Sequence, residues 1–517
     1  MLQGIMIIIS GFISFFQLLY KKPKIALLLL SILFSYPIVL IGYIDYGNRD
    51  AAWMAIFLVF WFAAIWGGWI FWFRHERIKK ERKEKEKDMK HQAIINPAAP
   101  SNMQSVDIHG FIFGEKNGKI MRKAEHTDGH VLVVGGTGTG KTSCLAIPSL
   151  LSWNGRVFAI DIKGELRDKT KEKRKNILYF NPEDDEAFGY NPFEPLMWTD
   201  NPIHEAQRLA QTLIPAPENS NADPFWITSA RDMFSGAILH YFHEGYSFIE
   251  TVEKILETPV ADLMDEISRS KTDGCLSFVN GFIGAENSMF DTYKTLATHI
   301  RLFKNPALKN ALSKADYLKP ADLENQDIYI TIQPQNIELW QNLWRLIVKQ
   351  FFDYFDNRPE KIGGKPAAPI LFVIDEFDRL GKIDGIKNAL STLRYKKITI
   401  SLFLQSLSQL DNTYSSEVRD VICDNCKYTA LLSARTTKTQ EEYAKLIGRH
   451  WLMKIGKGEQ LDTLKNLTGT NKNESEEDFW IIRPHELGKL EDIIVLHEKG
   501  FCRVNKLPYY KHRDLFY

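Results

Sequence analysis

Long apolar blocks occupy the start of the chain, and short apolar runs broken by polar turns fill the rest. Ile25 to Ile44 and Trp53 to Phe73 each carry about twenty residues without a charge, enough to span a bilayer as a helix. A polar turn, 45–50, separates them, and Tyr43, Trp53, Trp69 and Trp72 stand where aromatic side chains favour the membrane–water interface. A further apolar run, 5–20, is shorter and interrupted by Gly11 and Gln17; it either spans or lies partly in the membrane. Lys21-Lys22-Pro23-Lys24 and the cations from Arg74 to Lys80 flank the two long runs. Basic flanks face the cytoplasm, so the polar turn lies outside and everything after Arg74 lies inside. Residues 1–73 are expected as a multi-pass membrane anchor. From Arg74 to Lys90 nearly every position is charged, and the pairs Glu76/Lys80, Glu81/Lys85 and Glu86/Lys90 predict a helical stalk. With the Asn- and Pro-containing stretch 96–102 it makes a stalk and linker over 74–105.

Beyond Val106 the pattern becomes that of an α/β protein. Stretches 130–134, 156–161, 177–182, 327–332, 370–374 and 398–405 read as short strands. The five unbroken apolar residues of 370–374 suit a parallel strand covered on both faces. Helical periodicity dominates between the third and fourth of them, for example over Ala230 to Leu239. Residues 183–320 are therefore expected as an inserted all-α domain, and 106–182 with 321–517 as the core domain. The polar stretch 456–478 reads as a surface loop, or as a pore-facing segment gripping substrate through Lys454 or Lys457. The cationic run 167–175 reads as a solvated helix face or a nucleic-acid contact.

Chemistry enters with Gly135-Gly136-Thr137-Gly138-Thr139-Gly140-Lys141-Thr142, which fits the phosphate-binding loop G-x-x-x-x-G-K-[ST] between a strand and a helix. Its glycines let backbone N–H groups turn inward around an anion. Lys141 would reach the β- and γ-phosphates of ATP, and Thr142 would offer its hydroxyl to Mg²⁺. The strand 370–374 ends in Asp375-Glu376 at the edge where α/β sheets hold ligands. Asp375 is the candidate second Mg²⁺ ligand and Glu376 the residue that polarises the attacking water. Gln405, at the tip of strand 398–405, is a candidate γ-phosphate sensor. Arg394 is a candidate arginine finger for a neighbouring subunit. The combination predicts ATP hydrolysis.

Net charge changes this picture little. Lysine plus arginine number 65 against 64 acids, which excludes a generally basic nucleic-acid coat and leaves local surfaces or a ring to make such contacts. Five scattered cysteines include Cys423 and Cys426 at metal-like spacing, but no second pair completes a zinc site.

The order of phosphate loop, strand 157–161, helical insertion, Ile374-Asp375-Glu376-Phe377 and Leu404-Gln405-Ser406-Leu407-Ser408-Gln409-Leu410 resembles the type IV secretion coupling proteins, the TraG/TraD class of conjugation ATPases. Asn191-Pro192-Phe193, Asp223-Pro224-Phe225-Trp226 and the paired N-terminal apolar runs are similar to that family too. The resemblance implies a RecA-like P-loop motor, assembled as a homo-hexamer beneath the bacterial inner membrane. It also implies that ATP hydrolysis feeds a relaxase attached to single-stranded DNA into a type IV secretion channel. Lys141, Thr142, Asp375, Glu376 and Gln405 map onto the family's nucleotide site, and Arg394 falls near its trans-acting arginine. The short outside turn departs from relatives with larger extracytoplasmic parts. Three readings stay beside this one: export of effector proteins without DNA, a scaffold whose ATP site only gates assembly, and a chromosome-segregation DNA pump.

Overall fold

The computed structural model describes residues 73–83, 94, 96–216, 224–282, 286–362, 364–461 and 467–517, with backbone alone at 224, 286–287 and 451–477. It divides into two units, Met1–Gln92 and Ala93–Tyr517. In the first, residues 73–83 form a solvent-exposed helix in which Arg77 Nε donates to Glu81 Oε1 at 3.0 Å, one turn apart as stalk charges should be. The apolar runs 5–20, 25–44 and 53–73 lie, except for Phe73, outside the described residues. Among the described residues no helix is long and apolar enough to cross a membrane.

Nine strands of the second unit make one sheet. They are β1 (Val131–Val134), β2 (Arg156–Ile162), β3 (Ile177–Phe180), β4 (Asp327–Ile332), β5 (Ile370–Ile374), β6 (Ile398–Leu404), β7 (Tyr428–Leu431), β8 (Ile493–His497) and β9 (Gly500–Val504). The order is β9-β8-β7-β1-β6-β5-β2-β4-β3. Neighbours from β7 to β3 pair parallel, and β8 and β9 add an antiparallel edge. Side chains alternate between the faces with period two. Leu132 and Val134 enter one core, and Val131 and Val133 the other. Both faces are covered, which is why the strands read as unbroken apolar runs.

The two covers differ. On one face lie the helix after the glycine loop (Ile147–Ser152), Trp153 and the strands Phe111–Lys116 and Lys119–Lys123. On the other lie α1 (Pro202–Leu213), α2 (Pro224–His243), α3 (Phe248–Glu257), α4 (Glu286–Ile300) and α5 (Gln341–Asp356). Asn201 caps α1 by accepting from the amide of His204, and a reciprocal Ser247–Glu250 capping box starts α3. Such caps satisfy amides that no helical turn can reach. Helix α2 is apolar on most of its circumference and packs against α1, α3 and α4, as a helix enclosed by others must. One continuous core runs from Met233 and Phe234 of α2 through Trp344 and Phe351 of α5 to Phe158 and Ile160 of β2. The helical stretch thus shares its interior with the sheet.

Two expectations are refined here. In the cationic run 167–175, Lys169, Lys171, Lys173 and Lys175 are exposed as a solvated face should be, whereas Arg167 and Arg174 turn inward. Arg174 and Asp327 pair at 3.2 Å with side chains only 8% and 2% exposed, and Arg174 also donates to Trp153 O at 2.6 Å. Lys173 Nζ donates to Phe516 O at 2.7 Å, and the Arg167 guanidinium lies 4.0 Å from the Tyr179 ring centre. Removing Arg174 strands a buried carboxylate, so Arg174→Ala is expected to cost about 3–5 kcal/mol in a denaturant titration. The second revision concerns the polar stretch 456–478. Arg449–Leu461 and Leu467–Trp480 pair antiparallel as a two-stranded ribbon, anchored at its base by Arg449, which meets Asp478 at 2.6 Å and stacks on Trp480. Cys423 and Cys426 are free thiols, and no residue group suited to a metal ion occurs among the described residues.

Candidate phosphate-binding site

The carboxyl ends of β1, β6, β5 and β2 meet at one edge of the sheet. Val134 pairs with Leu404, and Ile374 with both Leu402 and Ile160, so residues far apart in sequence leave the sheet side by side. The Gly135 amide donates to Leu404 O at 3.1 Å, and the chain then turns through Gly138 at φ 78° and Gly140 at φ 101°. A Cβ at either position would strain this left-handed backbone. Lys141 opens a π-wound turn, Lys141–Ala146, which continues as the helix Ile147–Ser152.

The Lys141 ammonium folds back over its own loop, donating to Gly135 O at 2.6 Å and reaching Gly136 O at 3.5 Å. Burial lowers its pKa, an effect that the negative charges of Asp375, Glu376 and Asp378 oppose. Most of the loop (136–138 and 140–142), Asp161, Lys163, Glu165, Asp375 and Glu376 line one cleft of about 280 Å³. Asp375 is pushed up to about 6, by burial first and by the charge of Glu376 second. Asp161 is pushed up to about 6 by burial, although its carboxylate accepts from the amides of Leu166 at 3.0 Å and Arg167 at 2.8 Å. Glu376 stands in the left-handed region at φ 45° and meets Arg379 at 3.1 Å. A strained non-glycine residue at a cleft is a frequent mark of a working site.

Thr142 and Asp375 offer hard oxygen donors on the two sides of this cleft, and the acids crowded there are of the kind that a divalent cation relieves. Donor set and charge both fit Mg²⁺.

The raised acids have a consequence for stability. A folded carboxyl that keeps its proton to higher pH than the unfolded one stabilises fully below about pH 4 and loses that contribution as pH rises to about 6. Asp375→Asn is therefore expected to raise the unfolding free energy at pH 7.5 in EDTA by on the order of 1–3 kcal/mol, read from a denaturant titration. The gain should vanish near pH 4.

Two predicted site residues sit elsewhere. Gln405 follows β6 without lining the cleft. Its amide donates to Gln409 Oε1 at 2.8 Å, and Gln409 Nε2 donates to Asp378 Oδ2 at 2.7 Å. Gln409 thus ties the end of β6 to the turn after Glu376. Arg394 lies in the turn before β6, at the opposite edge of the sheet, roughly 20 Å of strand away. Its guanidinium contacts Tyr395. The structure does not bring Arg394 into its own chain's cleft.

Sequence reasoning missed the wall formed by Asp161, Lys163 and Glu165, although Asp161-Ile162-Lys163-Gly164 at the end of a strand was a readable signal. It also missed Arg435, which donates to Thr137 O at 3.3 Å from the loop after β7; no motif marks it. A larger cleft of about 600 Å³ opens between Arg231, His299, Arg345, Asp378 and Lys382, away from the glycine loop.

A family model described as type IV secretory system conjugative DNA transfer matches residues 72–516. Protein VirD4 of Rhizobium radiobacter is 27% identical over 433 residues, covering 79% of this chain and 61% of that protein. The conjugal transfer protein TraG of Escherichia coli is 25% identical over 372 residues, covering 66% and 58%. The chain therefore spans about three fifths of the length of these relatives. The unbound coupling protein TrwBdeltaN70 superposes with a TM-score of 0.62 at 18% identity, over 78% of this chain and 89% of its own. TrwB in complex with ADP and Mg²⁺ gives 0.61 at 19%, over 78% and 91%. The fold shared with them is the RecA-like α/β P-loop fold, and with most of its length matched the chain belongs to the type IV secretory system conjugative DNA transfer family.

Proposed function

We propose that this protein is a coupling ATPase that moves a relaxase–single-stranded DNA complex into a type IV secretion channel. One observation carries the catalytic part: residues 136–138 and 140–142 of the glycine loop, Asp375 and Glu376 line a single cleft. TrwB binds ADP with Mg²⁺ on the same fold. In this reading Lys141 leaves Gly135 O and takes the β- and γ-phosphates, while Thr142 and Asp375 hold Mg²⁺. When bound, the cation neutralises charge on the phosphate oxygens. Glu376, placed by its left-handed backbone and by Arg379, orients the attacking water. Gln405 reports the state of the γ-phosphate through Gln409 and Asp378. Arg394, at the far edge of the sheet, completes the cleft of a neighbour in a homo-hexamer, a geometry that requires assembly for turnover.

The apolar runs 25–44 and 53–73 anchor the ring to the bacterial inner membrane with the motor in the cytoplasm, and the run 5–20 joins them in or across the bilayer. Residues 183–320 form the helical domain, set within a core of 106–182 and 321–517. Turnover of ATP by the full chain in detergent, at low salt, should rise several-fold with single-stranded DNA. Turnover indifferent to DNA, yet stimulated by a secreted protein, would replace the nucleoprotein with an effector cargo.

A further inference from the structure

The wall of the cleft opposite the glycine loop is the turn that follows β2. Lys163 lines the cleft from this turn. Its φ is 96°, and that of Gly164 is 77°; glycine adopts such a backbone freely, whereas lysine does so at a cost. The surroundings hold the turn in place. Lys163 N donates to Ile332 O at 3.3 Å, and Asp161 accepts from the amides of Leu166 and Arg167 beyond it. Arg167 is in turn stacked on Tyr179. Lys163 is exposed, and its ammonium has no hydrogen bond or ion pair among the described residues. Nearby Lys171 and Arg174 are instead paired with Asp168 and Asp327. The cleft therefore has a lysine on each wall: Lys141 clasped by its own loop, and Lys163 uncommitted, on a backbone that a glycine would fit better.

We propose that Lys163 is a second phosphate-contacting cation, which grips the terminal phosphoryl group of ATP from the side opposite Lys141. This rests on the reading of the cleft as an ATPase site. In hydrolysis the bond from the γ-phosphorus to the bridging oxygen breaks, and its electron pair leaves with ADP. The water oxygen bonds to phosphorus, and its proton passes to Glu376 and on to solvent, leaving inorganic phosphate. Lys163 donates hydrogen bonds to the equatorial oxygens throughout and keeps its own protons. A cation placed there acts on ATP and on the transition state and has nothing to hold in ADP.

The test uses the full chain in detergent as wild type, Lys163→Gly and Lys163→Arg. Steady-state turnover, affinity for ADP, affinity for a non-hydrolysable ATP analogue and thermal midpoint are measured for each. Lys163→Gly is expected to lower turnover about a hundredfold. It should weaken the analogue about tenfold and leave ADP affinity unchanged. Its thermal midpoint should equal or exceed that of wild type, because glycine relaxes the turn. Lys163→Arg should keep much of the lost turnover. Wild-type turnover in Lys163→Gly, or an equal loss of ADP and analogue affinity, would overturn the proposal. Absence of turnover in the wild-type chain would instead sink the ATPase reading itself, while the ADP-versus-analogue comparison would still report on Lys163.

Discussion

On the proposed reading, Lys141→Ala is expected to abolish DNA transfer and to lower ATP turnover by at least about a hundredfold, with the folded chain left intact. The side chain is partly buried and spends its ammonium on two carbonyls of its own loop; it supports neither core cluster. Burial lowers its pKa, so the charge is held at some cost, and its removal should leave the thermal midpoint unchanged or slightly higher. The loss therefore falls on nucleotide handling, since no other loop residue can extend a cation to the β- and γ-phosphates. Transfer assays in cells and turnover of the full chain in detergent check both halves. Transfer at the wild-type level would remove ATP from the mechanism altogether.

Glu376→Gln comes next in size. An amide keeps the shape of the carboxylate and can still accept from Arg379, so the turn Phe377–Leu380 and the left-handed backbone at Glu376 should persist. What disappears is the charge that polarises water, for which a loss of about a hundred- to ten-thousandfold in turnover is ordinary. ATP should bind at least as tightly as to wild type, because one of the acids crowding Asp375 is gone. The expected product is a chain that holds ATP and does not turn it over, measurable by filter binding alongside phosphate release. Retention of normal turnover would shift the role to Glu165, the carboxylate on the opposite wall of the same cleft.

These experiments separate three tasks that one cleft combines. In the proposed mechanism Lys141 binds, Glu376 positions water, and Lys163 is assigned to the terminal phosphate. Each variant has its own pattern: loss of everything after Lys141→Ala, retained binding without turnover after Glu376→Gln, and loss confined to triphosphate after Lys163→Gly. The stability gain expected for Asp375→Asn belongs with them, since acids gathered for a cation destabilise the chain that lacks it.

Much of this site could be read from the order of residues alone, because its signals are local. A strand, a glycine turn and a helix are set by neighbours a few positions apart, and so were Gly135–Thr142 and the strand running into Asp375-Glu376. Apolar runs of the length and continuity of 131–134, 370–374 and 398–404 mark strands covered on both faces, and those three are adjacent in the sheet. What sequence could not supply was which distant segments meet. Parallel strands pair across whole crossovers, so the neighbour of β5 is β2, more than two hundred positions earlier in the chain, and only that pairing brings Asp161 and Lys163 to face the glycine loop. Arg435 reaches Thr137 for the same reason, through the pairing of β7 with β1. Within the cationic run 167–175, the burial of Arg174 was not legible because periodicity records polarity and cannot see a buried partner such as Asp327. The ribbon at 449–480 escaped because its pairing depends on backbone hydrogen bonds, which leave no apolar alternation behind. The residue types and their local geometry were thus determined by the sequence itself, whereas the company each residue keeps was decided by tertiary structure, since contacts between remote segments depend on sheet order and packing that no local pattern encodes.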